Sequence, residues 1–191
     1  MGNIFNKFCK MGIEETYLSG CFVIRPKIFG DDRGHFFESF NKELFERNLG
    51  ITTNFVQDNE SKSSKGVLRG LHFQKGEHAQ AKLVRVVKGS VLDVCVDIRK
   101  SSKTFGNSYS IILDDKEHKQ LYIPRGFAHG FLVLEDDTIF SYKCDNYYQK
   151  SSESGIIYND KHLNIDWGKP SSQVLISEKD KQLPTFENLF K

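Results

Sequence analysis

From residue 13 onward the chain is built of short runs that alternate apolar with polar side chains or are apolar throughout, separated by glycine, proline and charged turns. Such runs read as β-strands, because successive side chains of a strand point to opposite faces. Ten are expected: Cys21–Ile28, His35–Phe40, Phe55–Asn59, Val67–Gln74, Lys82–Val87, Val91–Ile98, Tyr109–Leu113, Gln120–Ile123, Ala128–Leu134 and Thr138–Cys144. Ten short strands predict an all-β sandwich or barrel. The clearest alternation sets Leu92, Val94, Val96 and Ile98 against Val91, Asp93, Cys95 and Asp97, which predicts one packed face and one wet face. Helices are few. Asn41 is a plausible N-cap for a short helix that buries Leu44 and Phe45 and ends near Gly50. Ser177-Glu178-Lys179-Asp180 has the form of a capping box and opens a second short helix, limited by Pro184. With no internal repeat and no Pro/Ser-rich linker, one domain is expected over residues 13–191, preceded by a loose N-terminal extension at residues 1–12.

Composition narrows the class. Of 191 residues 38% are hydrophobic, enough for a packed core, and the 16 Phe suit pleated surfaces, so most aromatic residues are expected in the core. A formal net charge of +2 and the absence of any long run of like charge leave no electrostatic footprint for nucleic acid or a membrane surface. No stretch approaches the ~18–20 apolar residues of a membrane helix, and the first residues lack the apolar region of a signal peptide, so a cytoplasmic protein is expected. Met1-Gly2 does not open a myristoylation motif, because Asn6 stands where Ser or Thr is required. Cys9, Cys21, Cys95 and Cys144 form no C-x-x-C pair and read as free thiols of a reducing compartment.

Two segments carry polar groups inside apolar strand patterns. In Gly66-Val67-Leu68-Arg69-Gly70-Leu71-His72-Phe73-Gln74, strict alternation puts His72 with Leu68 and turns Arg69 away, unless a bulge at Gly70 re-aims the strand. Read alone, His72 is equally a core histidine and Arg69 a surface side chain. In Ile123-Pro124-Arg125-Gly126-Phe127-Ala128-His129-Gly130-Phe131, the Pro-x-Gly-x-x-His spacing before an apolar strand is typical of cupins. In metal-binding cupins such a histidine completes a His-x-His cluster with a glutamate, so His72, Glu77, His78 and His129 are candidate ligands. Gln occupies position 74 and Glu77-His78 falls in a turn, which leaves the donor set one short, and no metal or other cofactor is expected. Tyr142 alternates with Phe140 and Cys144, and Lys82 heads an apolar run. Singly, these two read as a core tyrosine and a solvated strand end, and Asp180 as a helix cap.

Taken together, Asp32-Arg33-Gly34, Phe37-Glu38, Gln57-Asp58-Asn59, Gly66 to His72, Gln80 to Val84, Ile123 to Phe131, Ser141-Tyr142-Lys143 and Ser177 to Asp180 resemble the dTDP-4-dehydrorhamnose 3,5-epimerase family, in order, from about Ile13 to Pro184. The resemblance implies a metal-free, cupin-like jelly roll with a few short helices, usually a homodimer. It implies His72 as general base, Asp180 as the carboxylate that orients it, Tyr142 as general acid on the opposite side of the sugar and Lys82 beside the keto oxygen. By the same resemblance Arg33, Glu38, Gln57, Asn59, Arg69, His129, Glu153 and Lys179 hold the nucleotide, the pyrophosphate or the sugar.

The chemistry calls for this equipment. In a 4-keto sugar C3 and C5 both flank the carbonyl, so loss of either proton gives an enolate that reprotonation from the other face inverts. Imidazole, with an unperturbed pKa of ~6.5, can remove such a proton only where a positioned donor stabilises the enolate oxygen. The implied reaction turns dTDP-4-dehydro-6-deoxy-D-glucose into dTDP-4-dehydro-L-rhamnose, for dTDP-L-rhamnose and lipopolysaccharide or other surface polysaccharide. The competing expectations are a single-centre epimerase on a related nucleotide sugar, a metal-dependent cupin enzyme resting on His72, His78 and His129, and a non-catalytic nucleotide-sugar binding jelly roll.

Overall fold

The computed structural model describes residues 12–168 and 174–190. Two antiparallel sheets face each other. One has six strands in the order β1 (Gly12–Glu15), β2 (Phe22–Arg25), β10 (Gln120–Ile123), β7 (Lys82–Lys88), β12 (Thr138–Cys144) and β5 (Gln57–Ser63). The other has five, in the order β13 (Glu153–Gly155), β6 (Leu68–Gln74), β11 (Phe127–Val133), β8 (Ser90–Asp97) and β9 (Ser108–Asp114). A separate hairpin pairs β3 (Phe29–Asp31) with β4 (Gly34–Phe36). Neighbours in both sheets are mostly distant in sequence, the crossover pattern of a jelly roll. The fold is the cupin-like jelly roll that the sequence predicts. The expected extension at residues 1–12 lies outside the described residues, except that Gly12 already belongs to β1.

Val84, Val86, Leu121, Ile123 and Phe140 of the larger sheet meet Val91, Cys95, Phe127, Phe131 and Val133 of the smaller one in the space between the sheets. Ile24, Leu83 and Tyr122, on the opposite face of the larger sheet, are covered by Phe45 and Leu49 of α1 (Lys42–Leu49). That helix starts where expected: the Asn41 side chain accepts from Leu44 N–H, and Gly50 ends it in the left-handed conformation.

One expectation is corrected by β8. Its supposedly wet face is the inward one, and Asp93 and Asp97 are wholly buried. The other face, with Val94 and Val96, packs on Ile156, Leu163, Trp167 and Phe186 of the C-terminal segment, so the strand is covered on both sides. Alternation there separates two buried environments rather than core from water. The Asp97 carboxylate stays ionised by accepting hydrogen bonds from Arg99, Ser102 and Thr104 at 2.6–3.0 Å. Burial pushes it up, but these donors outweigh that and hold its pKa at about 2.

The C-terminal segment also crosses to the mouth of the jelly roll. Leu175 joins Val67 in a parallel bridge and leads into α2 (Glu178–Lys181), capped as predicted by Ser177, whose hydroxyl accepts from Asp180 N–H. A third helix, α3 (Phe186–Phe190), lies outside the sequence expectation and starts where the Asp160 carboxylate accepts from Phe186 N–H.

Candidate active site

A cavity of about 460 Å³ opens between the sheets, lined by His72, Arg69 and Leu68 of β6, His129 of β11, Lys82 of β7, Tyr142 of β12 and Lys179 and Asp180 of α2, among others. An adjoining recess shares His72, Lys82 and Tyr142 and adds Gln57, Asn59, Gln74, Tyr148 and Glu153. The volume of the main cavity lies within the range of small-ligand sites.

The puzzle of Arg69 and His72 is resolved by a bulge. His72 pairs with His129 and Arg69 with Phe131, so the register shifts by one between them, and both side chains line the same cavity. Gly70 occupies the bulge at φ 109°, and a Cβ there would stand 2.6 Å from the His129 carbonyl oxygen. The Gly70 N–H donates to Asp180 Oδ2 at 3.2 Å, while Asp180 Oδ1 meets His72 Nε2 at 2.8 Å. One buried carboxylate therefore ties the bulge to the ring beside it. Burial would raise the Asp180 pKa, but His72, the Gly70 amide and the Ser177 cap bring it below the ordinary carboxylate range. An ionised carboxylate only accepts, so His72 carries its proton on Nε2, and Nδ1 is the basic atom of the neutral ring.

Facing this dyad from the other sheet are Tyr142 and Lys82. The Lys82 ammonium lies 5.6 Å from the Tyr142 ring centroid. Burial raises the Tyr142 phenol and lowers the Lys82 amine, the latter opposed by Cys144, Asp93 and Glu153. A second histidine–carboxylate pair joins His129 Nε2 to Asp93 Oδ2 at 2.9 Å behind the cavity wall.

Of the remaining expected residues, Arg69 donates to Ser63 Oγ at 3.2 Å, Gln57 donates to Asn59 Oδ1 at 3.0 Å, and Glu153 meets Lys179 at 2.7 Å and accepts from the Tyr148 hydroxyl at 2.8 Å. Arg33 and Glu38 are not brought to the cavity. Arg33 sits at the tip of the β3–β4 hairpin, 89% exposed and held by Asp31. Glu38 lines a separate apolar crevice beside α1. Among the described residues no group of three His, Cys, Asp or Glu side chains could hold a metal ion. His78 turns toward Glu77 at 3.7 Å, whereas His72 and His129 spend their Nε2 atoms on carboxylates, so the candidate cluster of His72, Glu77, His78 and His129 does not assemble. Asp93 and Tyr148 escaped the sequence reading, Asp93 because its strand promised a wet face.

A jelly roll with a histidine–aspartate dyad on one wall and a tyrosine and a lysine on the other has the make-up of an acid–base enzyme. The family model described as dTDP-4-dehydrorhamnose 3,5-epimerase matches residues 15–188. The Escherichia coli (strain K12) dTDP-4-dehydrorhamnose 3,5-epimerase is 50% identical over 95% of this chain and 97% of its own. Among solved structures, the dTDP-4-dehydrorhamnose 3,5-epimerase of Elizabethkingia anophelis superposes with a TM-score of 0.90 at 50% identity, covering 95% of this chain and 99% of its own. The dTDP-6-deoxy-D-glucose-3,5-epimerase of Legionella pneumophila, solved with dTDP-4-keto-L-rhamnose, gives 0.90 at 48% identity over 95% of each chain. The chain belongs to the dTDP-4-dehydrorhamnose 3,5-epimerase family, and is thus an isomerase. No helix among the described residues is long and apolar enough to cross a membrane.

Proposed function

We propose that this protein inverts C3 and C5 of dTDP-4-dehydro-6-deoxy-D-glucose to give dTDP-4-dehydro-L-rhamnose, with His72 as base, Tyr142 as acid and no cofactor, on the route to dTDP-L-rhamnose and surface polysaccharide. The observation that carries this reading is that His72 and Tyr142 line one cavity from opposite sheets. His72 Nδ1 takes the proton from the carbon next to the carbonyl, and the electron pair left behind moves onto the C4 oxygen. The Lys82 ammonium meets that oxygen as its charge develops, a contribution of roughly 2.7–4 kcal/mol for a well-placed donor. The Tyr142 phenol then delivers a proton to the other face of the same carbon, and general acid and base help supply about 10²–10⁴-fold each. Asp180 holds the ring in its productive tautomer and stabilises the imidazolium, as in hydrolytic triads. Once solvent has taken the proton from His72 and returned one to Tyr142, rotating the sugar lets the same pair serve the second centre.

Arg69, Gln57, Asn59, His129, Glu153 and Lys179 are assigned to the sugar and pyrophosphate, because they line the cavity, its recess or their rim. Arg33 and Glu38 fit the same task in a homodimer, where the exposed β3–β4 hairpin of one protomer reaches the cavity of the other and covers its exposed Phe29 and Phe36. Action in the reducing cytoplasm belongs to the same reading and accords with the buried thiols of Cys21, Cys95 and Cys144.

Proton NMR of the 4-keto sugar nucleotide in heavy water tests the reaction. Deuterium should enter at C3 and C5 with inversion at both. Label at one carbon alone would make the protein a single-centre epimerase, and no label would leave a binding protein.

A further inference from the structure

His72 and His129 stand directly opposite each other on β6 and β11, both line the cavity, and both spend Nε2 on a buried aspartate. The two carboxylates differ. Asp180 uses both oxygens, Oδ1 on His72 and Oδ2 on the Gly70 amide. Asp93, wholly buried, uses Oδ2 on His129, while its Oδ1 has no hydrogen-bond partner among the described residues. A buried carboxylate oxygen without a donor is costly unless a cation offsets it.

Lys82 is the cation that senses this charge, through space and not through an ion pair. The groups facing Lys82 are Cys144 and Tyr142 on β12, Asp93 on β8, Glu153 on β13 and His72 on β6. Burial keeps the Cys144 thiol and the Tyr142 phenol protonated near neutral pH. Glu153 is engaged by Lys179 and Tyr148. Asp93 is therefore the anion whose charge is least committed elsewhere.

We propose that Asp93 is a positioning residue for the reaction: it fixes His129 as the Nε2–H tautomer, so that Nδ1 accepts a hydrogen bond from a hydroxyl of the sugar. The proposal rests on the epimerase reading above. It gives the twin dyads different duties: Asp180 serves the base, and Asp93 serves substrate orientation. A neutral imidazole whose Nε2 donates can only accept at Nδ1, so the cavity would select a sugar hydroxyl there over a keto oxygen.

The experiment has two arms. In the first, ¹⁵N NMR of histidine-labelled wild-type protein reads the His129 tautomer. In the neutral ring Nε2 should carry the proton and Nδ1 should be bare; a proton on Nδ1 with Nε2 bare, or a ring that is imidazolium at the assay pH, overturns the proposal without any variant having to fold. In the second, Asp93→Asn is assayed on the dTDP-4-keto sugar. The loss expected in kcat/KM is roughly 10–100-fold, taken from the range for carboxylates that orient metal-bound histidines from behind. Part of it appears in KM, through His129, and the alkaline limb of kcat moves to lower pH, because Lys82 has lost a neighbouring anion. A packing defect alone would not move that limb. Wild-type rate and an unshifted limb in D93N also overturn the proposal. Failure of the wild-type protein to exchange C3 or C5 hydrogen would instead sink the epimerase reading, while the tautomer measurement would still report what Asp93 does to His129.

Discussion

At the scale of single residues, the site is a division of labour set by local environment. His72 is basic at Nδ1 because Asp180 occupies its other nitrogen. Tyr142 is kept protonated by burial and so is available as an acid. Lys82 is useful only while charged, and burial works against that charge. Under the proposed mechanism, activity should therefore fall on the alkaline side below the ~10.4 of a free lysine, as the ammonium assigned to the enolate is lost. A pH–kcat profile checks this; a plateau that runs on past ~10.4 would contradict it. Replacing Lys82 by Ala should lower kcat by about 10²–10³, the usual loss for one oxyanion donor, with a smaller change in KM. The residue types were legible in the sequence but their directions were not. Strict alternation separates Arg69 from His72, and only the shift of register at Gly70 brings them to one cavity. Asp93 hides in an alternating strand that looks half wet.

At the scale of elements, that bulge and the doubly covered β8 decide where the chemistry sits. Gly70 and Gly130 lie so close that a Cβ on Gly70 would stand 2.6 Å from Gly130 Cα. Gly70→Ala should cost roughly 1–3 kcal/mol of stability from overpacking, and activity should fall further than stability because Arg69, His72 and the Asp180 contact all hang on this turn. Urea unfolding and kcat/KM on the same preparation separate the two effects. Asp97 anchors the far end of β8. Its folded pKa of about 2 lies below the ordinary ~3.9, so its contribution is present above that value and is lost as pH falls through the folded one. Wild-type stability should drop between about pH 4 and 2 more steeply than that of Asp97→Asn, which should already be weaker at pH 7. Parallel acid titrations would contradict this. The sequence revealed the ten strand positions and both caps because each depends on local pattern and turn chemistry. It missed β1, β3, β13 and α3, which are only three to five residues long and are fixed by partners elsewhere in the fold.

At the scale of the whole molecule, the site is assembled from chain segments far apart. His72 and Asp180 are 108 residues apart and meet because Leu175 docks beside Val67 and delivers α2 to the cavity mouth. No local pattern announces such a meeting, which is why Asp180 read alone was merely a helix cap. Under the proposed dimer, Arg33 extends the same logic beyond one chain. It lies on an exposed hairpin away from its own cavity, so Arg33→Ala should raise KM about 10-fold or more with kcat little changed, provided a second copy uses it. Light scattering should find a dimer, and a monomer with full activity would contradict that arrangement. The central claim is that a base and an acid act from opposite walls, and hydrogen exchange in heavy water measures it most directly. Tyr142→Phe should still exchange the C5 hydrogen for deuterium through His72 but with configuration largely retained, while His72→Asn should exchange almost none. Normal exchange in H72N, or inversion at the wild-type rate in Y142F, would contradict the two-wall account.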